Sequence, residues 1–229
     1  MKAMAMAGIA AASVIGLVAA VVAVRTATYV APGASDSPQV DLAPPVPVDL
    51  DRAARHLAAA VSIRTVSHQD PAENDWAEWE RLRAWLRDTY PSFHSVATLE
   101  LVASHTLLYT WAGSDPALPP IVLLAHHDVV PVTPGTEGEW THPPFAGVVA
   151  DGAVWGRGSI DDKSSLIGLF EAADALAASG FRPRRTVIVV SGHDEEAGGS
   201  GAAAAAQLLQ SRGVRPEFVL DEGLAVIAD

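Results

Sequence analysis

The chain has 229 residues, of which 49% are apolar and 18% charged, so it is long enough to bury one sizeable hydrophobic core. Its net charge of −12 argues against a nucleic-acid partner, because nucleic-acid binding requires basic surface. There is no cysteine, which excludes disulfides and thiolate metal sites. Any metal ion must therefore be held by His, Asp and Glu side chains.

The N-terminal segment has the pattern of a membrane signal. No charged residue occurs between Lys2 and Arg25, and this length is about that of a bilayer-spanning helix. We predict an uncleaved transmembrane anchor over residues 1–25, with a cleaved secretory signal as the alternative. The lysine that precedes the apolar run indicates that the rest of the chain is exported. The expected product is a membrane-anchored protein with an exported catalytic domain, or a secreted one if the segment is cleaved.

A proline-rich linker is predicted next. Prolines are concentrated between Ala31 and Val48, where they disfavour a regular helix or a central strand. We therefore divide the chain into an anchor at residues 1–25, a linker at 26–48 and a folded domain at 49–229.

The folded domain alternates helical and strand-like patterns. Helices are predicted at Leu50–Ile63, Asp75–Arg87, Lys163–Ser179 and Gly201–Arg212. Strands are predicted at Ser95–Val102, Thr106–Trp111, Ile121–Ala125, Thr186–Val190 and Phe218–Leu220, with two further short strands within Val148–Trp155. Ile121–Ala125 is a short, continuous apolar run, as expected of a buried parallel strand, and Thr186–Val190 and Phe218–Leu220 are predicted to be buried strands as well. The pattern predicts an α/β domain with a mostly parallel, mixed sheet flanked by helices.

Acidic and histidine residues follow each of the three apolar strands. They are His126-His127-Asp128, His193-Asp194-Glu195-Glu196 and Asp221-Glu222, and Asp161 lies on the loop that enters a helix. Because parallel strands end at the same edge of a sheet, we expect these groups to converge. Crowded carboxylates repel one another, and a divalent cation would relieve that repulsion. Imidazole and carboxylate ligands without sulfur suit Zn²⁺, Co²⁺ or Mn²⁺.

Each cluster also has a simpler interpretation when it is taken alone. Asp161 could be an ordinary helix N-cap, His126-x-Asp128 a surface pair, and the acidic run before Gly198 a charged turn. Their joint occurrence at strand ends favours the metal site.

These segments resemble a known family. The stretches Leu123 to Val132, Trp155 to Lys163, His193 to Glu196 and Leu220 to Gly223 are together similar to the zinc-dependent exopeptidases. That family includes aminoacylase, acetylornithine deacetylase, succinyl-diaminopimelate desuccinylase and carboxypeptidase S, and the last branch is the most similar. The resemblance covers the chain from about Leu50 onward.

The resemblance implies a role for each matching residue. It implies two divalent metal ions, most commonly zinc, with His126 and Asp221 on the first, Glu196 on the second and Asp161 bridging both. The peptide bond after Asp161 is expected to be cis. Asp128 would orient the His126 ring, as carboxylates do behind metal-bound histidines. Glu195 would be the general base, whereas His127 and Asp162 receive no role.

The expected function is metal-dependent hydrolysis of an amide bond in a small peptide or an N-acyl amino acid. Members of the family carry a further metal-binding histidine and a lid domain that have no counterpart in these 229 residues. The chain is therefore expected to be a partial catalytic domain that is inactive by itself. The alternative is a non-catalytic metal-binding or partner-binding fragment of the same fold.

Overall fold

The computed structural model describes residues 2–29 and 47–222, and the chain divides into two units, residues 1–45 and 46–229. In the first unit, helix α1 runs from Lys2 to Ala27. Within the described residues, no helix combines the length and the apolar character that crossing a bilayer requires. The transmembrane anchor predicted over residues 1–25 is therefore not supported. Most of the predicted linker, at residues 30–46, lies outside the described part of the chain.

The second unit contains five further α-helices among the described residues. They are α2 (Leu50–Val61), α3 (Trp76–Thr89), α4 (Pro91–Val96), α5 (Lys163–Ala178) and α6 (Ser200–Ser211). All four predicted helices are confirmed, apart from small shifts at their ends. Helix α4 was not predicted, and Ser95 and Val96, which were predicted to begin a strand, belong to it. Pro91 is its first residue, a position whose backbone N–H has no hydrogen-bond partner within a helix, so proline is well tolerated there.

In the described part of the chain, the strands form a five-stranded mixed sheet and a separate hairpin. The strands are β1 (Ala97–Val102), β2 (Thr106–Trp111), β3 (Ile121–His126), β4 (Val148–Ala150), β5 (Ala153–Trp155), β6 (Val187–Gly192) and β7 (Phe218–Leu220). The sheet order is β1-β2-β6-β3-β7, and β4 pairs with β5. Strand β3 is parallel to both β6 and β7, whereas β2 is antiparallel to β1 and β6. The mixed α/β fold is confirmed, although only half of the pairings in the main sheet are parallel.

Strand β7 differs from its prediction. Its three side chains are between 50% and 57% exposed, although the apolar run predicted a buried strand. The strand pairs with β3 on one side, and no strand in the described part of the chain pairs with its other side. The apolar sequence alone could not reveal that this strand has an open edge.

Hydrophobic side chains cover both faces of the sheet. On one face, Phe93 and Tyr109 pack with Leu166 and Phe170 of α5. The other face packs against α6 through Ala205. Trp79, Leu82 and Leu86 of α3 are also buried, whereas Trp76 at the start of that helix is only partly buried.

A charged cluster lies behind this core, between α2 and α5. The carboxylate of Glu171 is 3% exposed and accepts hydrogen bonds from Arg52 Nη2 at 2.9 Å and from Tyr90 Oη at 3.1 Å. His56 Nδ1 contacts Oε1 of Glu171, the oxygen that also accepts the hydrogen bond from Tyr90. Burial would raise the pKa of Glu171, but the hydrogen bonds from His56, Arg52 and Tyr90 outweigh it and hold the pKa below its ordinary value. The ionised carboxylate thus joins α2 to α5.

Candidate metal centre

The centre lies at the C-terminal edge of the parallel strands. His126 is the last residue of β3 and is in register with Gly192, the last residue of β6. The chain leaves both strands at this edge, and the two following segments carry Asp128 on one side and Glu195 and Glu196 on the other. This agrees with the predicted convergence at the strand ends.

Asp161 reaches the same place from the loop between β5 and α5. Its Oδ1 atom lies 2.8 Å from Nε2 of His126. Gly158 supports the sharp turn of this loop with φ of 84°, a left-handed conformation that favours glycine. The Asp161–Asp162 peptide bond is cis, as the resemblance implies. Asp162, rather than Asp161, occupies the N-cap position of α5, so the simple capping interpretation of Asp161 does not describe this structure.

Three glutamates complete two candidate ligand sets that share His126. One set is His126, Asp161 and Glu196, and the other is His126, Glu195 and Glu222, each with its donor atoms within 4.8 Å of one another. Nε2 of His126 lies 3.5 Å from Glu222 Oε1 and 4.0 Å from Glu195 Oε2.

Asp221 is placed differently from its predicted ligand position. It belongs to neither set, and its Oδ1 atom accepts the backbone N–H of Glu222 at 2.9 Å. Of the two acidic residues after β7, Glu222 is the one that faces His126.

Asp128 holds the centre in place from the buried side. Its carboxylate is fully buried and lies 3.3 Å from Nδ1 of His126. It also accepts the Ser67 hydroxyl at 2.6 Å and the backbone N–H groups of Glu195 at 3.0 Å and Glu196 at 3.1 Å. One carboxylate therefore orients both the histidine and the turn that carries the two glutamates.

The charges at the centre are mutually dependent. Burial would lower the pKa of His126, but the carboxylates of Asp128 and Asp161 outweigh it and raise the pKa to about 10. Burial, together with the neighbouring charge of Asp161, raises the pKa of Glu196. Burial also raises the pKa of Glu222. The raised pKa values of Glu196 and Glu222 indicate that too little positive charge lies near these two carboxylates. A divalent cation would supply that charge.

The donor chemistry fits such a cation. All donors are imidazole nitrogen or carboxylate oxygen, the ligands that Zn²⁺, Co²⁺ and Mn²⁺ accept in proteins. The backbone oxygen of Asp128 lies 3.1 Å from Nδ1 of His126. With Nδ1 held in this way, Nε2 is the ring nitrogen that faces the acidic groups.

Sequence reasoning missed several residues that hold the centre. Ser67 lies 61 residues from Asp128 in the chain. An isolated parallel bridge between Val66 and Val129 brings the two residues together, and no local sequence pattern reveals it. Asp162 accepts the backbone N–H of His126 at 3.2 Å.

Sequence reasoning also missed Lys163. Its only indication in the sequence was its place at the end of the stretch Trp155 to Lys163, on which the family resemblance rests. The residue is fully buried and donates from Nζ to the backbone oxygens of Ala60 at 2.9 Å and Ile63 at 2.6 Å. Burial lowers its pKa to about 7. Lys163 therefore ties the start of α5, next to Asp161, to the end of α2.

An apolar cleft lies beside the centre. It has a volume of about 830 Å³, and its apolar lining residues include Trp140, Trp155, Leu57, Val154 and Ile160. Glu139, His142 and three hydroxyl side chains also line it. Ile160 immediately precedes Asp161 and is 85% exposed. Volumes of this size are typical of small-molecule sites.

Comparison with known proteins shows which family this chain is similar to. Residues 122–227 match the profile of peptidase family M20/M25/M40. The human N-fatty-acyl-amino acid synthase/hydrolase PM20D1 is 35% identical over 175 residues, which cover 76% of this chain and 34% of the human protein. Carboxypeptidase S of Saccharomyces cerevisiae is 42% identical over 143 residues, which cover 59% of this chain and 25% of the yeast protein. The chain thus spans about a third or less of the length of these curated relatives.

The fold also resembles solved structures. Human carnosine dipeptidase 1 superimposes with a TM-score of 0.61 at 24% identity, over 76% of this chain and 39% of the human chain. This likeness concerns the fold of the domain.

Proposed function

Because this chain belongs to peptidase family M20/M25/M40, a family of hydrolases, we propose that the protein hydrolyses the amide bond of a small peptide or an N-acyl amino acid in a metal-dependent reaction. The observation that carries the proposal is the convergence of His126, Asp161 and Glu196 from three separate segments, with Glu195 beside them. Such a set of donors at one sheet edge is costly unless a cation neutralises it.

In the proposed site, His126, Asp161 and Asp221 would hold a first metal ion, and Asp161 and Glu196 would hold a second. Asp221 is included because the family resemblance implies it, and Glu222 is the rival ligand because of its 3.5 Å approach to His126. When bound, the two ions would lower the pKa of a water molecule and polarise the scissile carbonyl. Zinc is the first expectation, with cobalt or manganese as alternatives.

The protein's own groups would then move the proton. Glu195 is the proposed general base: its carboxylate takes a proton as the water attacks and delivers that proton to the leaving nitrogen. The side chain of Glu195 is 49% exposed, so it can reach an entering substrate, while its backbone N–H is fixed on Asp128. Asp128 keeps the His126 ring oriented and does not itself touch the substrate.

The cleft beside Asp161 suggests where part of the substrate lies. Its lining is mainly apolar, and one relative is named for N-fatty-acyl amino acids. We therefore propose that Trp140, Trp155 and Ile160 contact the acyl group of an N-acyl amino acid. Burial of an acyl chain there contributes up to about 0.8 kcal/mol for each CH₂ group.

The test is an assay of N-acyl amino acids and dipeptides with the purified full-length gene product, with and without chelator. Wild-type protein should release amine, lose that activity on chelation and regain it with Zn²⁺. Glu195→Gln should keep its metal and lose at least about 100-fold in turnover, the scale of general base catalysis.

Turnover of Glu195→Gln near the wild-type level would remove Glu195 from the mechanism. Activity that survives chelation would contradict the metal-dependent reaction. Metal binding without hydrolysis of either substrate class would favour the non-catalytic interpretation of the chain.

A further inference from the structure

The two proposed functional glutamates lie on a short turn between β6 and α6. Residues Glu195–Ala197 form a single 3-10 turn, and such a short turn has little stability of its own. On one side, Asp128 accepts the N–H groups of Glu195 and Glu196. The position of the two glutamates therefore also depends on what holds the other side of the turn.

Asp194 holds that other side. Its carboxylate accepts the N–H groups of Ser200 at 3.0 Å and Gly201 at 2.8 Å, and it also accepts the Ser200 hydroxyl. Its backbone oxygen accepts the N–H groups of Ala197 at 3.2 Å and Gly199 at 2.7 Å. Asp194 thus accepts hydrogen bonds both from within the turn and from the first two residues of α6.

The start of α6 is in turn fixed against β2. A Cβ atom on Gly201 would lie 2.0 Å from Thr106 Oγ1 and 2.4 Å from His193 Nδ1, so only glycine permits this approach. Thr106 Oγ1 and His193 Nδ1 are themselves 2.6 Å apart. Trp79 adds a hydrogen bond of 3.1 Å from its Nε1 to the backbone oxygen of His193. Asp194 therefore connects the turn to a rigid part of the fold.

We propose that Asp194 is a positioning residue: through its bonds to Ser200 and Gly201 it sets the place of Glu195 and Glu196 relative to His126. The inference rests on the proposed function for its kinetic consequence, but the contacts that carry it are independent of any substrate. An aspartate that merely capped α6 would contribute to stability and leave the two glutamates unaffected.

The experiment compares Asp194→Ala with Asp49→Ala in the whole protein. Asp49 is a matched control, because it caps α2 by accepting the N–H of Arg52 at 2.9 Å and makes no contact with the candidate centre. Both variants should lower the melting temperature. Only Asp194→Ala should also lower kcat at least tenfold, with KM changed less than twofold, and increase amide hydrogen exchange in the peptide that covers residues 193–199.

Asp194→Asn provides a second variant if the alanine protein does not fold. The asparagine keeps one oxygen acceptor but cannot accept with its amide nitrogen, so its kcat and exchange should lie between those of wild type and Asp194→Ala. The inference is overturned if Asp194→Ala or Asp194→Asn matches Asp49→Ala in kcat and in exchange at residues 193–199. Absence of hydrolysis by the wild-type protein would refute the proposed function, whereas the exchange comparison would still decide the role of Asp194.

Discussion

Nε2 of His126 lies 2.8 Å from Oδ1 of Asp161, although 35 residues separate them in the chain. The histidine is 2% exposed, and the aspartate side chain is 63% exposed. One partner is therefore fixed in the core while the other faces the opening of the centre. A buried nitrogen donor beside an accessible carboxylate can hold an ion and still leave a position open for a substrate.

The first prediction concerns metal content. His126→Ala should reduce the bound metal by one equivalent, because the proposed first ion loses its only nitrogen ligand. Elemental analysis of the dialysed protein measures this directly. His94→Ala is the control, since that histidine contacts Tyr109 and the backbone oxygen of Tyr90 instead of the centre. Unchanged stoichiometry in His126→Ala would refute its role as a ligand.

The second prediction separates Asp221 from Glu222. The family resemblance favours Asp221 as a ligand of the first ion, whereas the structure places Glu222 in a set with His126. We expect Asp221→Ala to weaken metal binding more than tenfold and Glu222→Ala to weaken it less than threefold, because the bound ion would draw Asp221 toward itself. Competition with a chromophoric chelator gives both affinities. The reverse order would assign the ligand role to Glu222.

The location of the centre could be predicted because it follows from a repeated pattern. Apolar strands that end in acidic or histidine residues must place those residues at one edge when the strands are parallel, as β3 and β6 are. Which of Asp221 and Glu222 faces His126 in the structure could not be predicted in this way. Successive side chains point in opposite directions in extended chain, so a shift of one residue reverses which carboxylate faces the histidine.

Features that depend on contacts between distant segments could not be predicted from local sequence patterns either. The contact between Ser67 and Asp128 joins two parts of the chain that carry no shared motif. The exposure of β7 depends on which strands flank it, not on its own apolar sequence. Helix α4 was missed for a local reason, since Pro91 can either end one helix or begin the next.

The third prediction tests the apolar cleft. For wild-type protein, kcat/KM should rise with acyl length from N-acetyl to N-octanoyl substrates, by at most about fourfold for each CH₂ group. Trp140→Ala should lose most of that gain, because the indole ring lines the cleft. Phe181→Ala is the control, since Phe181 is also a partly exposed aromatic residue but lies outside the cleft. Equal length dependence in Trp140→Ala and wild type would place the acyl group elsewhere.

The fourth prediction concerns the charged cluster between α2 and α5. Glu171→Gln should lower the free energy of unfolding at pH 7 by about 2 kcal/mol, because the ionised carboxylate accepts hydrogen bonds from Arg52 and Tyr90 in a buried position. Glu100→Gln is the control: its pair with Arg212 is exposed, and such surface pairs contribute less than about 1 kcal/mol. Urea unfolding monitored by circular dichroism measures both variants.

The pH dependence of this difference follows from the lowered pKa of Glu171. A carboxyl group whose pKa is lower in the folded than in the unfolded protein contributes stability above its unfolded value, and that contribution is lost as the pH falls through the folded value. The gap between wild type and Glu171→Gln should therefore shrink as the pH falls below the ordinary value of 4.5. A gap that persists unchanged at pH 3 would mean that Glu171 contributes by packing, because protonation would then have removed nothing.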